Sequence, residues 1–282
     1  MVCVHSLDLS VLDKVKAKGH DGVRVDVFHS SVVRRLGTFN YDLYDPFMKR
    51  AKALGLKVLI VLYLENKNLW VGAGRYVPTS KDALAQVEAF CRQTAYQYRW
   101  ADFEVWNEPN SQKMMGRVVN PLEYAKIAKA AVRGIRTANP NCKVWLGGLA
   151  NEDGTDEPDW RWIESMVADE SVGGGGLWRV LGDGVGVSIH PYSKTQMPEA
   201  RYRAVDLFRY YVGGLMPVDK DIPLAFTEWG YARSWGYTDD QLPFLVKRML
   251  DVGDQDGVDV CLYSWDDPTG EGFGLSGVQV VR

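Results

Sequence analysis

Two glutamates stand where their carboxyl groups could do chemistry. Glu108 lies in Val105-Trp106-Asn107-Glu108-Pro109-Asn110, and Glu228 in Phe226-Thr227-Glu228-Trp229-Gly230. Each closes an apolar run, at the point where a buried strand would open onto a loop. A carboxylate there is costly to desolvate, so its neighbours decide whether it keeps its charge. Two carboxyl groups facing one pocket are the equipment for breaking a glycosidic bond. Taken singly, each glutamate reads equally well as half of a structural ion pair.

To share a pocket, the two must be carried by one fold. Strand-like runs recur along the chain at Val2–His5, Gly22–Phe28, Lys57–Leu64, Asp102–Trp106, Lys143–Leu149, Gly184–His190, Leu224–Glu228 and Val258–Trp265. Several are continuously apolar, as parallel strands covered on both faces should be. Helical patterns separate them. Leu9, Leu12 and Val15 form a stripe that stops at Gly19, and Leu43, Phe47, Ala51 and Leu54 form one that stops at Gly55. Asn120-Pro121-Leu122-Glu123 reads as an N-cap, an N1 proline and an acidic N3. Thr238-Asp239-Asp240-Gln241 fits a capping box opening a seventh helix. Eight strands alternating with seven helices predict an α/β fold, a single-domain (β/α)8 TIM barrel over residues 1–282. A doubly wound sheet should show a glycine fingerprint after its first strand, and the sequence has none there.

After Trp265 the chain is short and rich in glycine, so the eighth helix is expected to be missing or replaced. The irregular tail, residues 267–282, or a second chain or additional domain, should then cover the seam between the first and last strands.

In such a barrel, reactive groups come from the C-terminal ends of the strands. Those positions carry Arg24 on strand two, Asn107-Glu108 after strand four, and His190-Pro191-Tyr192 after strand six. Glu228 follows on strand seven and Trp265 on strand eight. By themselves His190 reads as a hydrogen-bonded core histidine and Arg24 as a surface charge. In this order over nearly the whole chain, the set resembles the clan A glycoside hydrolases, most of all families 39 and 5. That resemblance implies a retaining double displacement on a polysaccharide or oligosaccharide, with Glu108 as acid/base and Glu228 as nucleophile. Arg24 and Tyr192 would hold Glu228 ionised, and Asn107 would meet the sugar 2-hydroxyl. His190 would orient Glu108 or bind the same subsite, and Trp265 would offer a flat face to the ring.

Of the ten tryptophans, Trp70, Trp160, Trp229 and Trp235 fall in or near loops on the same face, as sugar platforms or as packing. His5 and His29, near the ends of strands one and two, are placed to reach the mouth. Lys67, Arg75, Lys194 and Arg233 are either contacts for an acidic polymer or solubilising charges. Short loops and no second domain favour an open cleft and endo action. Two readings compete with hydrolysis: a carbohydrate-binding pseudoenzyme with the same cleft, and an unrelated barrel enzyme such as a metal-dependent lyase.

Composition narrows the partners. A net charge of −3 gives no electrostatic reason to expect nucleic acid or a membrane surface, and no apolar run approaches the roughly 20 residues of a bilayer span. No metal-ligand spacing is present and the mechanism needs no cofactor. The N-terminus lacks a signal-peptide pattern, which suits a cytoplasmic protein or a domain of a longer exported one. Cys3, Cys91, Cys142 and Cys261 are expected to be free, buried thiols.

Overall fold

The computed structural model describes residues 1–66, 69, 77–115, 117, 119–150, 160–194, 197–198, 205–206, 208–210 and 222–280. Eight strands close into one parallel barrel in chain order: β1 Val2–Val4, β2 Gly22–Phe28, β3 Lys57–Tyr63, β4 Asp102–Asn107, β5 Val144–Leu149, β6 Val185–Ile189, β7 Leu224–Trp229 and β8 Asp259–Leu262. The sequence placed every strand within a few residues. No described helix is long and apolar enough to cross a membrane.

The helices are α1 Leu9–Ala17, α2 His29–Val32, α3 Asp45–Ala53, α4 Lys81–Gln97, α5 Gln112–Met115, α6 Pro121–Ala138, α7 Trp160–Val167 and α8 Leu242–Asp256. Residues 205–206 and 208–210, between β6 and β7, are also helical. Asn120 caps α6 as expected, and with Glu123 it closes a capping box. At α8 only half of the box forms. Gln241 Oε1 accepts from the Thr238 N–H, but Gln241 itself stands at the N-cap position and makes no side-chain cap.

The main apolar core lies between the strands and the surrounding helices. Inside the barrel, side chains stack in layers drawn from alternate strands, as closure of eight tilted strands requires. Leu59 of β3, Trp145 of β5 and Ala225 of β7 plug the lower end, with Met1 against them. Above them, Arg24 of β2, Glu104 of β4 and Ser188 of β6 form a polar layer, all buried. The four cysteines are free and buried.

Beyond β8 the described residues form no helix. The tail fills the groove instead. The Leu275 N–H donates to the Ser264 carbonyl at 2.9 Å, and the Val280 N–H donates to the Lys18 carbonyl at the end of α1, also at 2.9 Å. Leu275, Val278 and Val280 are buried in the main core. Burying each such side chain is worth about 1.5–3 kcal/mol, enough for three residues to replace part of a helix face.

Candidate active site

The site is built from the floor upward. Arg24 is 2% exposed, so its charge needs partners. Three oxygens accept from it: Nε donates to Glu104 Oε2, Nη1 to Glu228 Oε1 and Nη2 to Asn107 Oδ1, each at 2.6 Å, and Nη1 also meets the Cys3 Sγ at 3.9 Å. Burial opposes the guanidinium charge, but Glu104 and then Glu228 outweigh it, so Arg24 is held well above its usual value. Burial also opposes the charge on Glu104, and here Arg24 more than reverses the effect and holds that carboxyl below the usual range. Glu104 further accepts from the Gly148 N–H at 2.9 Å, Thr227 Oγ1 at 2.8 Å and Ser188 Oγ at 3.1 Å. It never reaches the mouth; it fixes Arg24.

The end of β4 is bent. Trp106 and Glu108 have φ of 71° and 46°, in the left-handed region where non-glycine residues are strained by about 1–3 kcal/mol. The bend turns Trp106 into the apolar core. It also lets Asn107 and Glu108, adjacent in sequence, both contact the site: Asn107 meets Arg24, and Glu108 meets His190. Because the carbonyl end of Asn107 is taken by Arg24, its amide hydrogens are the end left to meet a ligand.

His190 joins the two glutamates. Its Nδ1 is 2.9 Å from Glu108 Oε1 and 3.6 Å from Glu228 Oε2. Its Nε2 is 3.3 Å from Thr227 Oγ1. Burial disfavours the imidazolium more than any single neighbour favours it, yet Glu228 and then Glu108 together raise the imidazole above its usual value. Tyr192, two residues on across Pro191, donates its hydroxyl to Glu228 Oε2 at 3.1 Å. Glu228 is thus gripped at Oε1 by a cation and at Oε2 by a phenol. Among the described residues, Glu108, His190 and Glu228 are the one group with metal-ligand spacing, their ligand atoms lying within 4.8 Å of one another. The Arg24 guanidinium, bonded to Glu228, already supplies positive charge here, which works against a further cation.

Five expected residues are therefore gathered with Glu108: Arg24, Asn107, His190, Tyr192 and Glu228. Others lie elsewhere. Trp265 is 3% exposed and sits edge-on to His20, in the main core, so it offers no face to the mouth. Tyr263, two residues earlier, is the strand-eight aromatic beside the site; it meets His5 and Tyr192 edge-on, and burial followed by the nearby Glu228 charge pushes its phenol up. The strand runs on past Leu262 for only a few irregular residues, and alternation alone did not tell which aromatic faces inward. Trp229 is 1% exposed and packs on Phe226 in the outer core, because β7 departs from strict alternation where its pairing with β8 shifts register between Phe226 and Trp229. His29 is buried on Phe90, with Nδ1 2.8 Å from Asn66 Nδ2. Burial pushes it down to about 4, so it is a neutral core histidine. His5 does reach the mouth and pairs with Asp26 at 3.3 Å.

Trp235 is half-buried beside Tyr192, with the Lys194 ammonium 5.9 Å from its ring centre. Arg233 is bound to Asp239 and to tail carbonyls. Trp70, Lys67, Arg75 and the side chain of Trp160 lie outside the described residues. Glu104, Thr227 and Ser188 were missed from the sequence. The signal for Glu104 was a charge in the middle of an otherwise apolar strand.

The chain matches the model of the cellulase family, glycosyl hydrolase family 5, over residues 5–268. No curated protein sequence matches it. Among solved structures it is similar to a family 39 glycoside hydrolase from the gut symbiont Bacteroides cellulosilyticus WH2, at 18% identity and a TM-score of 0.75. That match covers 97% of this chain and 59% of the other, so the chain spans less than two thirds of that relative. It is also similar to an endoglucanase from the hyperthermophilic Thermotoga maritima, at 13% identity and a TM-score of 0.64, covering 95% of this chain and 84% of that one. The Thermotoga enzyme has been solved with cellobiose and with mannotriose. A cellulose synthase subunit from Clostridioides difficile matches at 13% identity and a TM-score of 0.62, covering 95% and 86%. At these identities the structures share the fold, while the family match spans nearly the whole chain. The chain belongs to glycosyl hydrolase family 5, the cellulase family, and is by family a glycoside hydrolase.

Proposed function

We propose that the protein hydrolyses β-glycosidic bonds within a polysaccharide or oligosaccharide, with retention of configuration. The observation that carries this reading is the closeness of the two glutamates. Their nearest oxygens lie within 4.8 Å, with His190 Nδ1 in reach of both. Retaining enzymes hold their carboxyls about 5–5.5 Å apart, and inverting ones about 6.5–9.5 Å.

In the first step Glu228 attacks the anomeric carbon. Arg24 and Tyr192 fix its two oxygens, so it needs no reorientation. Glu108 gives its proton to the departing oxygen, and a glycosyl ester forms on Glu228. Esterification removes the Glu228 charge. His190 then has Glu108 as its remaining carboxylate partner, at the moment when Glu108 must be ionised. Glu108 takes a proton from water, the hydroxyl attacks the same carbon, and Glu228 leaves as the carboxylate. The Asn107 amide donates to the sugar 2-hydroxyl, a contact that tightens as positive charge builds on the ring.

The cellobiose and mannotriose complexes of the Thermotoga endoglucanase support a gluco- or manno-configured chain and endo action. A polysaccharide panel with a reducing-sugar readout tests the substrate, and NMR of the first-formed product tests retention: the β anomer is expected, and an initial α anomer would sink the mechanism. Glu228→Gln should abolish turnover while leaving sugar binding intact. Binding without cleavage by the wild type on every polymer would leave the pseudoenzyme reading.

A further inference from the structure

The tail that stands in for the eighth helix also enters the site. Phe273 is 5% exposed, and its ring meets three others edge-on: Trp235 at 5.0 Å, Tyr263 at 5.3 Å and Tyr192 at 5.7 Å. These rings form one wall beside Glu228, and Tyr192 is the member that donates to it. Phe273 and Tyr192 each meet all of the other rings in this wall, so Phe273 packs directly on the ring that grips Glu228.

The loop that presents Phe273 is tethered from two sides. Asp267 accepts from the N–H of Gly272 at 2.8 Å and from the N–H of Phe273 at 3.4 Å. Arg233, in the loop after β7, donates through Nη1 to the carbonyls of Gly272 and Gly274, at 2.7 and 3.0 Å. Its own N–H donates to the Gly272 carbonyl at 3.2 Å. Gly272 has φ of 88°, and a Cβ there would come within 2.7 Å of the Arg233 Cβ. The approach of the two loops therefore requires glycine, both for its backbone angle and for its missing side chain. A tail that only covered the barrel seam would need Leu275, Val278 and Val280. It would not need this second set of contacts, which faces the mouth and not the groove under α1.

We propose that the tail segment Asp267–Leu275 is a working part of the active site, with Phe273 as a positioning residue for Tyr192 and, through it, for Glu228. The proposal rests on the reading of Glu228 as the nucleophile. Phe273 fixes the Tyr192 ring on one side, so the hydroxyl stays aimed at Glu228 Oε2. Loss of the ring lets the phenol swing away and leaves Glu228 with one grip in place of two.

The test is a double-mutant cycle in the full chain, assayed on an aryl β-glycoside. A hydrogen bond to a charged group that acts in the transition state is worth about 10-fold to 100-fold in rate. Tyr192→Phe and Phe273→Ala should each lower kcat by about that factor, with KM changed by less than about threefold. The double variant should be no slower than the slower single one, because both remove the same contact. Phe273→Leu, which keeps apolar bulk, should recover most of the loss. Gly272→Val, outside the ring cluster, should reproduce the Phe273→Ala defect by dislodging the loop. Multiplicative losses in the double variant, or a Phe273→Ala enzyme with wild-type kcat and only a lower melting temperature, would overturn the proposal. A crystal structure of Phe273→Ala gives a readout independent of turnover. A Tyr192–Glu228 hydrogen bond still in place refutes the positioning role, whereas an inactive wild type would refute the functional reading instead.

Discussion

Arg24 Nε and Glu104 Oε2 lie 2.6 Å apart in a part of the barrel that solvent does not reach, their side chains 1% and 0% exposed. Of the three carboxylate and amide groups that the guanidinium holds, only Glu228 and Asn107 take part in the chemistry proposed above. Glu104 is the fixed post that aims Arg24 at them. We predict that Glu104→Ala destabilises the fold by about 3–5 kcal/mol, the cost of leaving a buried charge without its partner. Glu104→Gln should keep the shape and lose less stability, but should still lower kcat because Arg24 is no longer held. Urea unfolding and kcat measured on both variants check this. Wild-type kcat in Glu104→Gln would show that Arg24 needs no post.

Gly148 on β5 is the space into which His190 fits. A Cβ on Gly148 would collide with the imidazole ring. Gly148→Ala should push His190 off Glu108 and lower kcat by about 100-fold, the usual result of misplacing a reacting group by about 1 Å. Far-UV circular dichroism should stay unchanged. An active Gly148→Ala enzyme would mean that His190 does not need its present place.

Tyr263 and Trp265 are two residues apart and should fail in opposite ways. Trp265→Ala removes a ring from the core, and about 3–5 kcal/mol of stability should go with it, while KM stays near wild type at a temperature where the variant is folded. Tyr263→Ala removes an aromatic surface at the mouth and should lower kcat/KM by roughly tenfold. Thermal melts and steady-state kinetics on the pair separate the two roles. A binding defect confined to Trp265→Ala would reverse the assignment.

His29 makes stability depend on pH. Its imidazole is pushed down by burial from 6.5 to about 4 in the folded protein, and Nδ1 faces the Asn66 amide, an arrangement that suits the neutral ring. The unfolded chain binds the proton first as pH falls. The contribution of this site is therefore intact above about pH 6.5 and is withdrawn toward pH 4, by up to on the order of 3 kcal/mol. His29→Gln lacks this titration. Urea unfolding from pH 7 to pH 4 should show the wild type losing more stability than the variant; parallel curves would count against it.

Much of this protein can be read along the chain. The eight strands, the glycine stops at Gly19 and Gly55, the N-cap at Asn120 and the two glutamates are local signals. They depend on neighbours within a few positions, through hydrophobic period and backbone preference. Arg24, Asn107, His190, Tyr192 and Glu228 were legible together because barrel strands deliver their ends to one face. The remainder depended on which way particular side chains turn and what meets them from afar. Trp106 at φ of 71° breaks the simple alternation of β4. Trp265 turns outward to His20 while Tyr263 turns inward. His29 follows β2 directly but packs on Phe90, a residue of α4. Glu104 matters only because Arg24, Ser188 and Thr227 converge on it from other strands. The sequence alone determined that a barrel would bring two glutamates to one mouth, since strand order and period are written locally. The tertiary structure decided what grips them, because a buried charge takes its meaning from partners that closure of the barrel brings to it.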